Sequence, residues 1–284
     1  MVKVISDSTS DLGRSLMDRY DVEMIPLHVY LGEEEYLDGV NISPDQIYRW
    51  ADEHNTTPKT SAPNLEDVIG VFDSHLKAGD DLIVFTVSSS MSSSYNVCRL
   101  AVEELEAADR IKIIDSANLS TGVGLLVIEA AIMASKGQDL GAIEEQILKY
   151  RPLVRASFVV DTLVYLYRGG RCSGLAALAG SALKIHPRIV VENGAMRSDR
   201  KYRGSLDKSI LTYVQDMEEQ LVRAKKDRVF ITHSGCESHI VDQVRAYLSG
   251  LERFDEIIET RAGGVISSHC GPATLGVLFI AGED

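Results

Sequence analysis

The first 115 residues switch repeatedly between two structural periods, and this constrains the fold more than any other feature of the chain. VKVIS (2–6), MIPLHV (24–29), DLIVFT (81–86) and IKIID (111–115) are unbroken apolar runs with β-branched residues. A strand wetted on one face alternates apolar and polar residues, whereas an unbroken run suits a strand covered on both faces, as in a parallel sheet. Between the runs lie helical patterns. Residues 66–77 gather Val68, Ile69, Phe72 and Leu76 on one side, and residues 95–107 do the same with Val97, Leu100, Ala101 and Leu105. Strand–helix alternation of this kind predicts a doubly wound α/β sheet.

The alternation breaks between residues 30 and 58, where LGEEEYLDGVNISPDQ is acidic and turn-rich. This stretch reads as an excursion at the rim, a hairpin followed by a short helix, with Ser43–Pro44 as its cap and first residue. A helix over 140–150 ends at Arg151–Pro152. A second set of strands follows: SFVVD (157–161), RIVVENGAMR (188–197), RVFITH (228–233), EIIETR (256–261) and LGVLFIAG (275–282). Asn193–Gly194 marks a hairpin turn. Helices are expected over 163–167, 175–183, 206–224 and 238–248. With 284 residues, two domains are expected, 1–155 and 156–284, the first carrying the rim insertion near 30–58.

The net charge of −13 disfavours nucleic acid or an anionic bilayer as a general partner, although it leaves a local basic patch and a transient membrane contact open. Cys98, Cys172, Cys236 and Cys270 form no CxxC pair and match no zinc spacing, so they read as thiols of a reducing compartment. MVKVISDSTSDL has too short an apolar run for a signal peptide, and residues 122–134 are too few to span a bilayer. A cytoplasmic location is therefore expected.

Four polar clusters carry the candidate chemistry. Ser6-Asp7-Ser8-Thr9-Ser10-Asp11 follows the first strand and suits capping or anion binding, but Asp7, like Asp115, would repel an anion. Lys59-Thr60-Ser61-Ala62-Pro63 reads as a loop whose hydroxyls can donate to a carboxylate. Ser88 to Ser94 holds six serines in seven positions at a strand's carboxyl end, where open α/β sheets bind ligands. Hydroxyls and free amides there would hold a carboxylate without a full positive charge. Arg168-Gly169-Gly170-Arg171 precedes a small-residue helix that either packs tightly or lines an apolar tunnel. It is no phosphate loop, and Gly122-Val123-Gly124 lacks the rest of a dinucleotide fingerprint. HSGCESH (233–239) has no standard metal spacing, so no metal is expected. His269 lies in a glycine/proline stretch beside two serines and stays open between a structural and a functional role. No GxSxG elbow accompanies the serines.

Taken in order, SDSTSDL, KTSAP, SSSMSSSYN, IIDSANLSTGVGLL, LYRGGRCSGLAALAGSALKIHP and GVISSHCGPATLGVLF resemble the DegV family, the fatty-acid-binding subunits of bacterial fatty acid kinase. The resemblance runs from end to end. It implies two α/β domains with one long-chain fatty acid between them, the N-terminal one built on a mainly parallel sheet. It further implies that Thr60, Ser92 and His269 hold the carboxylate, with Ser61 and Ser93 as secondary pocket residues. Arg171 is implied to engage a separate ATP-binding kinase subunit, which forms the acyl phosphate; whether that product goes to phospholipid synthesis or elsewhere stays open. No cofactor is implied and the chain is expected not to be an enzyme on its own; it carries no recognisable ATP or Mg²⁺ motif. Three positions depart from the family pattern: Ser93 stands where Gly is usual, Cys270 where Thr is usual, and Cys172 where Ile is common. Two alternatives remain, a serine hydrolase or acyltransferase using Ser92 with His269, and a small-molecule phosphotransferase subunit.

Overall fold

A computed structural model describes residues 1–173 and 185–282. The helix expected over 175–183 lies outside the described residues. The first half runs β1 (Val2–Asp7), α1 (Gly13–Arg19), β2 (Val22–Ile25), β3 (His28–Leu31), β4 (Glu34–Leu37), α2 (Pro44–His54), β5 (Lys59–Ser61), α3 (Leu65–Ala78), β6 (Asp81–Thr86), α4 (Ser94–Glu104), β7 (Ile111–Asp115), α5 (Thr121–Ser135) and α6 (Leu140–Tyr150). The apolar runs pair in parallel as a four-stranded sheet of order β2-β1-β6-β7. The sheet is the one the run pattern predicts, with one correction. Residues 24–29 are not a single strand: β2 ends at Ile25, and β3 starts a separate sheet at His28. Pro26 explains the break, because it has no N–H to give a ladder.

The rim excursion forms the antiparallel sheet β4-β3-β5 and the helix α2. Ser43 caps α2 in a reciprocal box with Gln46, with Pro44 in its first turn, as the sequence indicates. KTS, expected in a loop, is instead the edge strand β5, with Thr60 opposite Val29. Three residues are too few to show a period.

The second half continues with β8 (Val154–Val159), α7 (Val164–Gly169), β9 (Cys172–Ser173), β10 (Ile185–Glu192), β11 (Ala195–Arg203), α8 (Leu206–Gln215), α9 (Glu218–Leu221), β12 (Ala224–His233), α10 (Ser238–Gly250), β13 (Glu256–Arg261), α11 (Gly264–Cys270) and β14 (Leu275–Ala281). These strands form a mixed seven-stranded sheet of order β13-β12-β14-β8-β10-β11-β9. The hairpin between β10 and β11 turns at Asn193 and Gly194, both at positive φ, as a two-residue turn requires. Two expectations need correction. The helix over 206–224 breaks after Gln215, and Ala224 already belongs to β12. His269 lies in the last turn of α11, not in a loop. The signal that starts α11 is not local: Gly263 N–H donates to Asp11 Oδ1 at 2.8 Å and Gly264 N–H to Asp38 Oδ1 at 2.6 Å.

The two large sheets meet on α5. Every residue from Thr121 to Ala131 is buried, so this helix has no wet face to mark its period. One side packs on β1 and β6, the other on β8 and β14. A single core joins Val4, Ile83 and Phe85 of the first sheet to Ala156, Phe230 and Leu278 of the second. The sole charge in that buried run, Glu129, bonds the buried Arg228 of β12, with Lys225 Nζ at 3.3 Å. No described helix is long and apolar enough to cross a membrane.

Breaking that pair leaves a charge buried without a partner, which costs about 3–5 kcal/mol. Glu129→Ala is therefore expected to lower the urea midpoint sharply, while Glu129→Leu combined with Arg228→Met should lose much less. Equal losses in equilibrium unfolding would show that the pair's volume, not its charge, matters at this junction.

Candidate functional site

Three parallel strands end at one crevice. β1 hands over to Thr9, β6 to Val87 and β7 to Leu119, and these residues line a common cavity of about 250 Å³. The chain reverses its direction of sheet growth between β1 and β6, the position at which open α/β sheets form a binding crevice. The far wall comes from the second half: Met196 of β11, and Val265, Ile266, His269 and Cys270 of α11. Thr60 and Ser61 approach from β5, and Ser92 and Ser93 from the serine loop. Arg171 completes the lining beyond α7. All six candidates named from the sequence, Thr60, Ser61, Ser92, Ser93, Arg171 and His269, therefore border one cavity.

The loops are held by carboxylates that do not face a ligand. Asp7 accepts from Thr9 N–H at 3.1 Å, Thr9 O–H at 2.5 Å and Val87 N–H at 2.8 Å. Burial pushes its pKa up to about 6, against the pull of those bonds. Asp115 accepts from Ser89 O–H at 2.5 Å and from the N–H groups of Ser89 and Ala117. Ser88 O–H reaches across to Gly194 O at 2.6 Å and so ties the serine loop to the β10–β11 turn. These contacts fit the reading of Asp7 and Asp115 as poor anion ligands: both are taken up in shaping the backbone.

His269 Nε2 lies 2.8 Å from Thr60 Oγ1. Its Nδ1 is buried without a partner, against the backbone of Gly169. An unpaired lone pair is tolerated more readily than an unpaired N–H, so the proton belongs on Nε2 and the ring donates to Thr60. The Thr60 hydroxyl hydrogen is then free to point into the cavity. Removal from water, helped by the nearby charge of Arg171, lowers the His269 pKa from 6.5 to about 4, so the ring is neutral at neutral pH. Ser92 Oγ sits 2.8 Å from Ser94 Oγ and accepts from Ser94 N–H at 3.2 Å. Arg171 is exposed, with its guanidinium donating to Gly169 O at 2.6 Å. Burial raises the Cys270 thiol well above its ordinary range, which makes it an apolar wall and not a thiolate.

This arrangement gives no support to the hydrolase alternative. His269 is engaged by Thr60 and not by Ser92, and no carboxylate orients its Nδ1. Ser92 and His269 therefore do not stand in series with an orienting acid at this cavity. Nor do the described residues contain a group of three or more His, Cys, Asp or Glu able to hold a metal; His233 spends its Nδ1 on the N–H groups of Gly235 and Cys236.

Sequence reasoning left several lining residues without a role: Thr9, Leu27, Val87, Leu119, Met196 and Ile266. Thr9 stood in a cluster already marked as polar. Leu119 stood inside IIDSANLSTG, a stretch quoted for its likeness alone. The apolar ones carry no chemical signal, because a side chain lining a cavity and one filling a core look alike in sequence.

The fold and site define a class: an α/β protein of two large sheets and a small one, with a hydroxyl-rimmed, apolar-walled crevice at the carboxyl ends of the parallel sheet. The chain belongs to the DegV family, whose model matches residues 1–282. A fatty-acid-binding DegV family protein from Thermus thermophilus superposes with a TM-score of 0.90 at 29% identity, covering 99% of each chain. A DegV domain-containing protein of Clostridium perfringens is 30% identical over 279 residues, 98% of both chains. A fatty acid-binding protein of Thermotoga maritima is 31% identical over 285 residues, covering 97% of this chain and 96% of its own length.

Two outcomes follow from the His269 geometry. A Cβ at position 169 would meet Nδ1 at 2.6 Å, so Gly169→Ala should displace the ring and break its bond to Thr60, visible as a shift of the His269 imidazole resonances. The depressed pKa also has a sign. Unfolded His269 takes up a proton near pH 6.5 and folded His269 only near 4, so its contribution is full above pH 6.5 and is lost as pH falls toward 4. The stability difference between wild type and His269→Gln should accordingly shrink by about 3 kcal/mol over that window, at 1.36 kcal/mol per pKa unit. A difference that stays constant with pH would mean that the ring is not buried neutral.

Proposed function

We propose that this protein binds one long-chain fatty acid and presents its carboxylate to a separate ATP-dependent kinase that forms the acyl phosphate. The observation that carries the reading is the Thr60–His269 pair facing the serine loop across one apolar-walled cavity. The fatty-acid-binding relatives of the same family support it. In this reading Thr60, Ser92 and His269 form the carboxylate site, Thr60 and Ser92 donating to the head group and His269 orienting the Thr60 hydroxyl toward it, while Ser61 and Ser93 border it and Arg171 meets the kinase. Membership of a kinase system rests on the family resemblance and on the exposed position of Arg171 beside the mouth. The division into domains near residue 155, the ligand's position between them and a cytoplasmic location with reduced thiols belong to the same proposal.

The energetics favour such a site. A long acyl chain offers about 14 methylenes at roughly 0.8 kcal/mol each, before the costs of ordering. Affinity can therefore come from the tail, and neutral donors suffice for the head. Hydroxyls satisfy a carboxylate without burying a counter-charge, and the neutral imidazole behind Thr60 adds none, so the head group stays available for phosphorylation.

Mass spectrometry of lipid extracted from the purified protein should show fatty acid. Thr60→Val and Ser92→Ala should each weaken binding by about 1–3 kcal/mol, because each removes a donor to a partly buried carboxylate. Retention by both variants at wild-type strength would move the head group elsewhere. Arg171→Ala is expected to keep ligand affinity within a few fold yet strongly reduce acyl phosphate formation when the cognate kinase and ATP are added. Arg171→Lys should restore only part, since an ammonium cannot make a planar two-point contact. Equal loss of binding and turnover in Arg171→Ala would return Arg171 to the pocket.

A further inference from the structure

We infer that Leu119, Ile266 and Cys270 form an internal gate that sets how much acyl chain this protein accepts. The inference rests on the fatty-acid reading above. These three residues line two cavities at once. One is the hydroxyl-rimmed cavity of about 250 Å³; the other lies deeper between the sheets and measures about 20 Å³. The walls of the inner space include Phe158 of β8 and Gly276 and Leu278 of β14. Its nearby hydroxyls are turned onto each other: Thr232 Oγ1 lies 2.6 Å from Thr121 Oγ1 and 3.0 Å from Thr260 Oγ1. The inner space therefore offers mainly carbon to an entering tail.

Size decides what must happen there. A cavity of about 150 Å³ takes one benzene, so the outer cavity takes on the order of ten carbons. A palmitoyl or stearoyl chain is longer than that. Its last carbons need room beyond the outer cavity, and the inner space that adjoins it is nearly closed. Longer chains must displace the gate; short ones stop in front of it.

The gate is built to resist. Ile266 and Cys270 stand four residues apart and so share one face of α11, whose start is fixed by Asp11 and Asp38. Leu119 is buried on the opposite side and precedes Ser120, which adopts φ 52°, ψ −146°. That region is strained for any residue but glycine. It is maintained by Ser120 O–H donating to the buried Asp11 Oδ2 at 2.5 Å. One carboxylate thus braces both sides of the passage. At position 270 the passage carries a buried thiol. Buried thiols behave as small hydrophobes, so the passage lacks a polar group that a passing methylene would leave unpaired.

The test is competition. Wild type, Leu119→Ala, Ile266→Ala and Leu119→Phe are each stripped of lipid and offered an equimolar mixture of decanoate, myristate, palmitate and stearate. Bound acids are then read by mass spectrometry, and melting curves confirm that each variant is folded. Opening the gate with either alanine should raise the stearate-to-decanoate ratio by about tenfold, the scale on which pockets discriminate small changes in bulk. Leu119→Phe should lower it. If wild type takes up fatty acids but both alanine variants keep its ratio, the gate is wrong and the binding function stands. If wild type takes up none of the four acids, the gate and the function proposed above fail together.

Discussion

The fold depends on one helix that has no surface of its own. From Thr121 to Ala131 α5 is covered on all sides, with the parallel sheet against one face and the mixed sheet against the other. Helices at a protein surface can slide or rotate at modest cost, because water accepts whatever is uncovered. A helix packed between two sheets cannot, since any shift opens voids on both sides at once. Glu129 sharpens this fixity. Its ion pair with Arg228 specifies one rotation and one depth for the helix relative to β12. The two halves are thereby held in a definite relation, and a cavity lined by residues of both can keep its shape.

Around the crevice, the chemistry divides between groups that shape and groups that face inward. Carboxylates do the shaping: Asp7 and Asp115 organise the loops after β1, β6 and β7, and Asp11 and Asp38 organise the start of α11. Burial raises the pKa of Asp7 to about 6 and of Asp11 to about 8, and raises that of Asp38. Of these, the pKa of Asp11 is held above neutral pH, so the scaffold around the crevice is less negative than its composition implies. Hydroxyls and an uncharged imidazole face inward. A net charge of −13 is compatible with the anion site proposed above because the charges are spent elsewhere.

Much of this was legible in the sequence because local rules and tertiary structure agree. The runs that form β1, β6 and β7 are buried on both faces and look it. The Ser43 cap and the Asn193–Gly194 turn are local chemistry with local consequences. The misreadings have a shared cause. Pro26 splits a run that looks continuous, β5 is too short to have a period, and α11 is started by residues more than two hundred positions away. The polar half of the candidate site was visible as clusters of hydroxyls at strand ends. Its apolar half, Leu119 and Ile266 included, was not, because hydrophobicity does not say which side of a wall a residue occupies.

The bonds from Asp11 to Gly263, from Asp38 to Gly264 and between Thr60 and His269 join residues 252, 226 and 209 positions apart. During synthesis the chain emerges from its amino end, and domains tend to fold in that order. The parallel sheet can assemble early, but the crevice acquires its second wall only after α11 has been made. Long-range closure of this kind also slows folding, since chain entropy is lost before the contacts form. A ribosome-bound or truncated chain lacking α11 has half a crevice and no His269, so for part of its synthesis the parallel sheet stands with its strand ends open to water.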